Sequence, residues 1–297
     1  MVPPLYSRAA RASVARTPGP VWVAHPKGTA NPAVQSTSVN IAVCAKVVPT
    51  SSVTIEIDPA TKRVIREGVP KELDPQAASA VEEGLRLVEA HEGTVTVITM
   101  GRPESVDDMR KALAMGADRG ILISDDALAG SDTLGTAKAL AAAIKKEQFD
   151  LVICATESTD TYSGLVPGQL AELLGLPLLS FAKELHIEGG KAIVKRQTDF
   201  GYQVVEADLP LLLAVTSGIN EPRYPSLKGI MGAKRKEVVN YTAADLGLST
   251  DQVGEAGARE KVLAIGKPPA REVGQIMTDE GDGGIKIADF LAELKVL

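Results

Sequence analysis

Aromatic side chains are scarce in this 297-residue chain: four Phe, five Tyr and one Trp amount to 3%. A core must then be built from Ala, Val, Leu and Ile, which suits buried aliphatic strands beneath Ala-rich helices. Stacking platforms for nucleic-acid bases lose their material. Cysteine is limited to Cys44 and Cys154, too few for a disulfide framework or a multi-thiolate metal site. The three histidines, His25, His91 and His186, show no metal-ligand spacing and read as solvated surface or loop, so no metal is expected. No apolar run approaches the ~18 residues of a membrane-spanning helix, and the chain reads as soluble and intracellular.

Acidic residues are missing from residues 1–55, which carry Arg8, Arg11, Arg16, Lys27 and Lys46 for a charge of +5. The remaining 27 basic and 38 acidic residues leave −11, and so acidic a body makes no case for nucleic-acid binding. Three glycine fingerprints are also absent. Without G-x-G-x-x-G there is no standard dinucleotide site, and without G-x-x-x-x-G-K-[ST] no P-loop phosphoryl transfer. Without a G-x-S-x-G elbow, Ser/His/Asp catalysis has no anchor.

What is present alternates. Residues 1–38 are rich in Pro, Ser, Ala and Arg, and read either as a flexible extension or as an organelle transit segment. Strands are then expected at 40–48, 53–57, 94–100, 119–124 and 150–155. Between them, Asp74 and Pro75 supply N-cap and N1 for one helix. A second helix spans about 104–116, a third is capped by Ser131 or Asp132 and runs to about Gln148, and a fourth lies near 163–175. Short strand–helix links of this kind specify an α/β doubly wound parallel sheet. Around 191–206 two short runs separated by Gly201 read as a small antiparallel hairpin, followed by a strand at 211–216. Past about residue 244 hydrophobic density falls until an amphipathic end at 285–297, an extended C-terminal arm suited to holding a partner.

In such sheets ligands bind beyond the carboxyl ends of the strands, at the switch in strand order. Four segments should converge there: Cys44, the helix start Asp74–Ala77, Met100, and the loop from Ala155 to Pro167. Amides near Ser163–Val166, at a helix start, form a natural phosphate site, with Pro167 tolerated in the first turn. Glu82–Glu83 and Asp107–Asp108 read as solvated helix charge. Farther on, Leu227, Ile230 and Met231 sit in an expected loop beside a basic cluster, which reads as a docking surface.

The residues also carry a resemblance. AVEEGLRL (80–87), KALAMGADRGI (111–121), GSD (130–132), ESTD (157–160), LPLL (176–179) and INEPRYPSLKGIMGAKRKEV (219–238) together resemble the β subunit of electron-transfer flavoprotein. The resemblance implies an adenine-nucleotide α-hydrolase-like domain over 39–245, a partner-recognition loop at about 215–236, and a C-terminal arm, 246–297, packing on an α subunit. It implies a heterodimer in which α holds the redox FAD while this subunit holds AMP and catalyses no reaction of its own. Electrons would come from acyl-CoA and other dehydrogenases, as in fatty-acid oxidation, and leave to a quinone oxidoreductase of the respiratory chain. The location implied is the bacterial cytoplasm, or the mitochondrial matrix if residues 1–38 are a transit segment.

Carried over by alignment, the AMP contacts are Cys44, Asp74, Pro75, Gln76, Ala77, Met100, Ala155, Thr156, Glu157, Ser158, Thr159, Asp160, Ser163, Gly164, Leu165, Val166 and Pro167. The partner contacts are Tyr224, Leu227, Ile230 and Met231, with Leu227 the anchor. Some relatives place a second FAD where AMP sits and bifurcate electrons, which is the alternative reading of the same fold. Gln197 stands where many relatives have an acidic residue thought to steady the flavin domain, Ser51 replaces a tyrosine near the flavin, and Leu165-Val166-Pro167 is less polar than in animal relatives.

Overall fold

The computed structural model describes residues 22–24, 38–266, 269, 274, 276 and 278–296. In chain order the first half comprises β1 (Trp22–Ala24), β2 (Val39–Cys44), β3 (Val47–Pro49), β4 (Lys71–Leu73), α1 (Pro75–His91), β5 (Gly93–Met100), α2 (Ser105–Met115) and β6 (Arg119–Ile123). There follow α3 (Thr133–Ile144), β7 (Leu151–Ala155), α4 (Val166–Leu174), β8 (Leu178–Glu188), β9 (Lys191–Thr198), β10 (Gly201–Asp208), β11 (Leu211–Val215), α5 (Leu227–Ala233), β12 (Val238–Tyr241), α6 (Gly254–Gly257) and α7 (Gly283–Glu293).

Ten strands form one sheet in the order β1-β10-β9-β8-β11-β7-β2-β5-β6-β12. From β8 to β12 every neighbouring pair is parallel, and β9 and β10 extend that block antiparallel. The chain moves outward from β2 through β5 to β6, then returns to lay β7 on the other side of β2. Strand order therefore reverses between β2 and β7. Side chains alternate across each strand, so both faces are apolar. Ile41, Val43, Val95, Val97, Leu151 and Ile153 pack under α1 and α2. Ala42, Ile98, Val152, Cys154 and Leu212 pack under α3 and α4. Helices on both faces of a mostly parallel sheet are what the strand–helix alternation specifies.

Local chemistry starts the helices. Asp74 caps α1 by accepting from the Gln76 N–H at 2.8 Å, with Pro75 in the first turn. Between Ser131 and Asp132, it is Asp132 that caps α3, accepting from the Gly135 N–H at 2.7 Å. Gly84 lies where α1 crosses the sheet, and a Cβ there would stand 3.2 Å from Val43 Cγ2.

Several expectations are corrected. The apolar run at 40–48 is two strands: β2 ends at Cys44, and β3 turns away to pair with β4 in a separate two-stranded antiparallel sheet. Residues 53–57 alternate as a strand does, yet form only a bridge between Ile57 and Val64, because they lie outside the main sheet with Ile55 and Ile57 exposed. The long β8 escapes sequence reading because it is partly exposed, mixes Lys, Glu and His into its length, and shifts register between Ala182 and Glu184. The expected start of α4 near 163 falls instead at Val166, with Leu165 as a helix boundary that makes no side-chain cap.

Residues to Lys261 form one compact unit, and Val262–Leu297 a second. The segment 254–260 belongs to the first: Gly254 N–H donates to Ser131 Oγ at 2.7 Å, and Arg259 N–H to Asp132 Oδ2 at 2.6 Å. In the second unit α7 exposes Ile285 and Ile287. Of residues 1–38, only β1 and Ser38 lie among the described residues, and β1 pairs in parallel with the outer strand β10.

Candidate functional site

The switch point between β2 and β7 brings the expected segments to one end of the sheet. Cys44 ends β2, and β2 pairs in register with β5 on one side and β7 on the other, so that Cys44 stands opposite Ile98 and Cys154. Both cysteines are free, and Cys154 is buried while Cys44 is half-buried. Contact with the Cys44 thiol, reinforced by burial, pushes the Cys154 thiol up from its ordinary range. Met100 ends β5 and Ala155 ends β7, both half-buried.

The start of α1 is tied to the loop after β7. Asp74 is 1% exposed and caps α1 through Oδ1. Its Oδ2 accepts from the Thr159 N–H at 2.8 Å and from Thr159 Oγ1 at 3.3 Å, while its own N–H donates to the Lys46 carbonyl at 2.9 Å. One carboxylate thus joins the segment after β2, α1 and the loop. Pro75 and Ala77 follow directly, with Ala77 buried, and Gln76 half-buried beside it.

Asp160 organises the rest of the loop. Its side chain is 1% exposed, and Lys46 Nζ and Arg66 Nη2 reach its two oxygens at 2.6 Å each. Ser158 Oγ donates to Asp160 Oδ1 at 2.8 Å. Burial works against ionisation, but the Lys46 charge and the hydrogen bonds from Lys46, Arg66 and Ser158 outweigh it and bring the carboxyl down to about 2. Two cations thus close on one buried carboxylate and tie the segments around Lys46 and Arg66 to the loop. The Thr156 N–H and hydroxyl both bind the Val215 carbonyl, at 2.9 and 3.0 Å, and so splice the loop to β11. Glu157 is half-buried, whereas Ser163, Gly164 and Leu165 are exposed just ahead of α4. Gly164 takes φ +63°, a left-handed turn that favours glycine. Val166 and Pro167 form the first turn, whose amides have no intrahelical acceptor.

Sequence reasoning missed Lys46 and Arg66. A basic residue just past a strand's carboxyl end was the available signal for Lys46, and for Arg66 there was none. It also misread Glu82 and Glu83 as solvated: they are 3% and 7% exposed and bind the chain ahead of α5. The stretch with Leu227, Ile230 and Met231 is a short helix, capped by Ser226 Oγ accepting from the Gly229 N–H at 3.0 Å, rather than a loop. Its seven residues are too few to show a period in the sequence. Gly229 and Ala233 turn toward α2, where a Cβ on Gly229 would come within 2.3 Å of the Ala114 carbonyl oxygen. Arg110 Nη1 donates to the Ala233 carbonyl at 2.6 Å, and Lys236 Nζ donates to the carbonyls of Leu113, Gly116 and Ala117 at the end of α2. The other side of α5 is bare: Leu227 is 75% exposed, with Ile230, Met231 and the neighbouring Tyr224 also exposed.

Residues 61–246 match the electron transfer flavoprotein domain family. Over 264 residues the chain is 42% identical to the electron transfer flavoprotein subunit beta of Mycobacterium leprae, covering 87% of this chain and 99% of that protein. The chain belongs to the electron-transfer flavoprotein β-subunit family. Similarity extends to the electron transfer flavoprotein subunit beta of Thermoanaerobacterium thermosaccharolyticum, 43% identical across 84% of this chain and 95% of that protein. It also reaches the caffeyl-CoA reductase-Etf complex subunit CarD of Acetobacterium woodii, 40% identical across 81% of this chain and 92% of that protein. Membership makes this an electron-transport flavoprotein component. Among the described residues no helix is long and apolar enough to cross a membrane, and no cluster of His, Cys, Asp and Glu is arranged to hold a metal ion.

Proposed function

We propose that this chain is the AMP-holding β subunit of a heterodimeric electron-transfer flavoprotein, with FAD held mainly by an α subunit and no reaction catalysed by the β chain itself. The observation that carries the reading is the convergence of Cys44, Asp74, Met100 and the 155–167 loop at the switch point, with the loop fastened there by Lys46 and Arg66 through Asp160. AMP fits these residues. Its phosphate meets the amides ahead of and within the first turn of α4, where backbone dipoles favour an anion. Its adenine lies against the half-buried, polarisable side chains at Cys44 and Met100. AMP there fastens β2, α1, β7 and α4 together and so supports the chain that carries the flavin.

The bare face of α5 receives reduced acyl-CoA and other dehydrogenases, with Leu227 as the apolar anchor. Electrons then pass from the α-bound FAD to a quinone oxidoreductase of the respiratory chain. The second compact unit, with the exposed isoleucines of α7, forms part of the arm on the α subunit. The test is co-expression with the α chain, followed by acid release and quantification of nucleotides. One FAD and one AMP per heterodimer is the expected result. Two FAD and no AMP would replace the reading with the bifurcating type, and neither extra nucleotide would overturn the site altogether.

A further inference from the structure

Two carboxylates inside α1 have no part in the nucleotide site. Glu82 and Glu83 lie midway along the helix, 3% and 7% exposed, where carboxylates are rare unless paired. Their partners come from the chain 137 to 141 positions later. Arg223 Nε donates to Glu82 Oε2 at 2.7 Å and Nη2 to Glu82 Oε1 at 3.1 Å, while the Arg223 backbone N–H donates to Glu82 Oε2 at 3.2 Å. The outer edge of the same guanidinium spans both oxygens of Glu89. Asn220 Nδ2 donates to Glu83 Oε2 and to the Ser79 carbonyl, each at 2.9 Å. A fork gripped on two sides by two carboxylates fixes orientation as well as distance.

Arg223 directly precedes Tyr224, and α5 begins four positions later at Leu227. The far side of α5 is fastened to α2 through Gly229, Ala233 and Lys236. Two exposed apolar side chains, Tyr224 at 94% and Leu227 at 75%, are thus held between two fixed points. We infer that Arg223, gripped by Glu82 and Glu89, is a positioning residue that sets the direction in which Tyr224 and Leu227 are presented to a dehydrogenase. This rests on the docking role assigned to Leu227. Electrostatics agree with the geometry. Burial works against the Glu82 charge, yet the bonds from Arg223 and Arg86 hold that carboxyl below its ordinary range, whereas burial lifts the adjacent Glu83, which meets only an amide.

The test uses the heterodimer with Arg223→Gln, Arg223→Lys, Glu89→Gln and, separately, Leu227→Ala. Glu89 is more than half exposed, so its replacement tests the clamp without threatening the fold. Arg223→Gln should raise KM for a reduced acyl-CoA dehydrogenase roughly tenfold with kcat little changed, as expected when orientation alone is lost. Arg223→Lys, which keeps the charge but not the fork, should fall between Arg223→Gln and wild type, and Glu89→Gln should produce a smaller rise. Amide hydrogen exchange at 224–231 should quicken in all three while flavin and AMP content stay whole. Quickened exchange with unchanged KM, or unchanged exchange in every variant, would overturn the positioning role. If Leu227→Ala also leaves KM unchanged, the docking assignment itself has failed; if it raises KM while the Arg223 variants do not, only the clamp has failed.

Discussion

Replacing Asp160 by Asn removes the charge at the centre of the loop after β7 while keeping its shape. In the folded protein the Asp160 carboxyl sits at about 2, against 3.8 for an ordinary aspartate. Each unit of that difference is worth about 1.4 kcal/mol, so the ionised side chain contributes about 2 kcal/mol to folding. Lys46 and Arg66 are each more than a third exposed, and water screening trims the figure toward about 1 kcal/mol. Because the folded value lies below the unfolded one, this stability is fully present above about pH 5 and disappears as pH falls toward about 2.

The assay is urea unfolding of the assembled wild-type and Asp160→Asn proteins from neutral pH down to about pH 3. The variant's deficit of about 1–2 kcal/mol at neutral pH should shrink by roughly half at about pH 3, because the unfolded aspartate, at 3.8, is by then mostly protonated while the folded carboxylate still keeps its charge. A deficit that does not change with pH, or one below about 0.3 kcal/mol at neutral pH, would refute the reasoning. Either would mean that the two cations are solvated in the folded state rather than spent on Asp160. AMP retention supplies a second measurement, since freeing Lys46 and Arg66 from Asp160 loosens the loop proposed to hold the phosphate.

Two further substitutions probe other parts of the fold. Gly229→Ala puts a methyl within 2.3 Å of the Ala114 carbonyl oxygen and must push α5 off α2, so a loss of about 1–3 kcal/mol in unfolding free energy is expected. Glu83→Gln should be neutral or stabilising at neutral pH and lose that advantage in acid. The folded Glu83 carboxyl is raised, chiefly by burial, so ionisation there weakens the fold progressively as pH rises through the carboxylate range, while Gln can still accept from Asn220. Urea midpoints of both proteins at acid and neutral pH measure the crossover.

The legible parts of the molecule are those governed by local chemistry. Asp74-Pro75 announces the start of α1 and Ser131-Asp132 that of α3, because a capping side chain and the amides it binds lie within three residues of each other. Five-residue apolar runs such as β7 and β11 announce buried strands. Strand β8 did not announce itself, since it is partly exposed and its exposed positions carry charges. The α5 helix was equally silent: it is about two turns long and held by the Ser226 cap and by α2, not by an apolar stripe of its own. Within the candidate site, Cys44, Met100 and the loop after β7 could be named because strand ends are where such sheets bind ligands. Arg66 could not, since nothing near it in sequence points at Asp160, 94 positions away.

The sequence by itself therefore determined the strand–helix alternation of the parallel block, the apolar character of both sheet faces, the capped start of α1, and the family. Periodicity and capping act over a few residues, and the chain spells them out. Tertiary structure decided which strands are neighbours, and with that everything that depends on adjacency. It set Cys44 against Cys154, gathered Lys46 and Arg66 around Asp160, and drew Glu82 from an apparently solvated helix face into the grip of Arg223. A charge run looks the same in sequence whether water or an arginine 141 residues away will meet it; only the packing of α1 beneath the later chain separates the two.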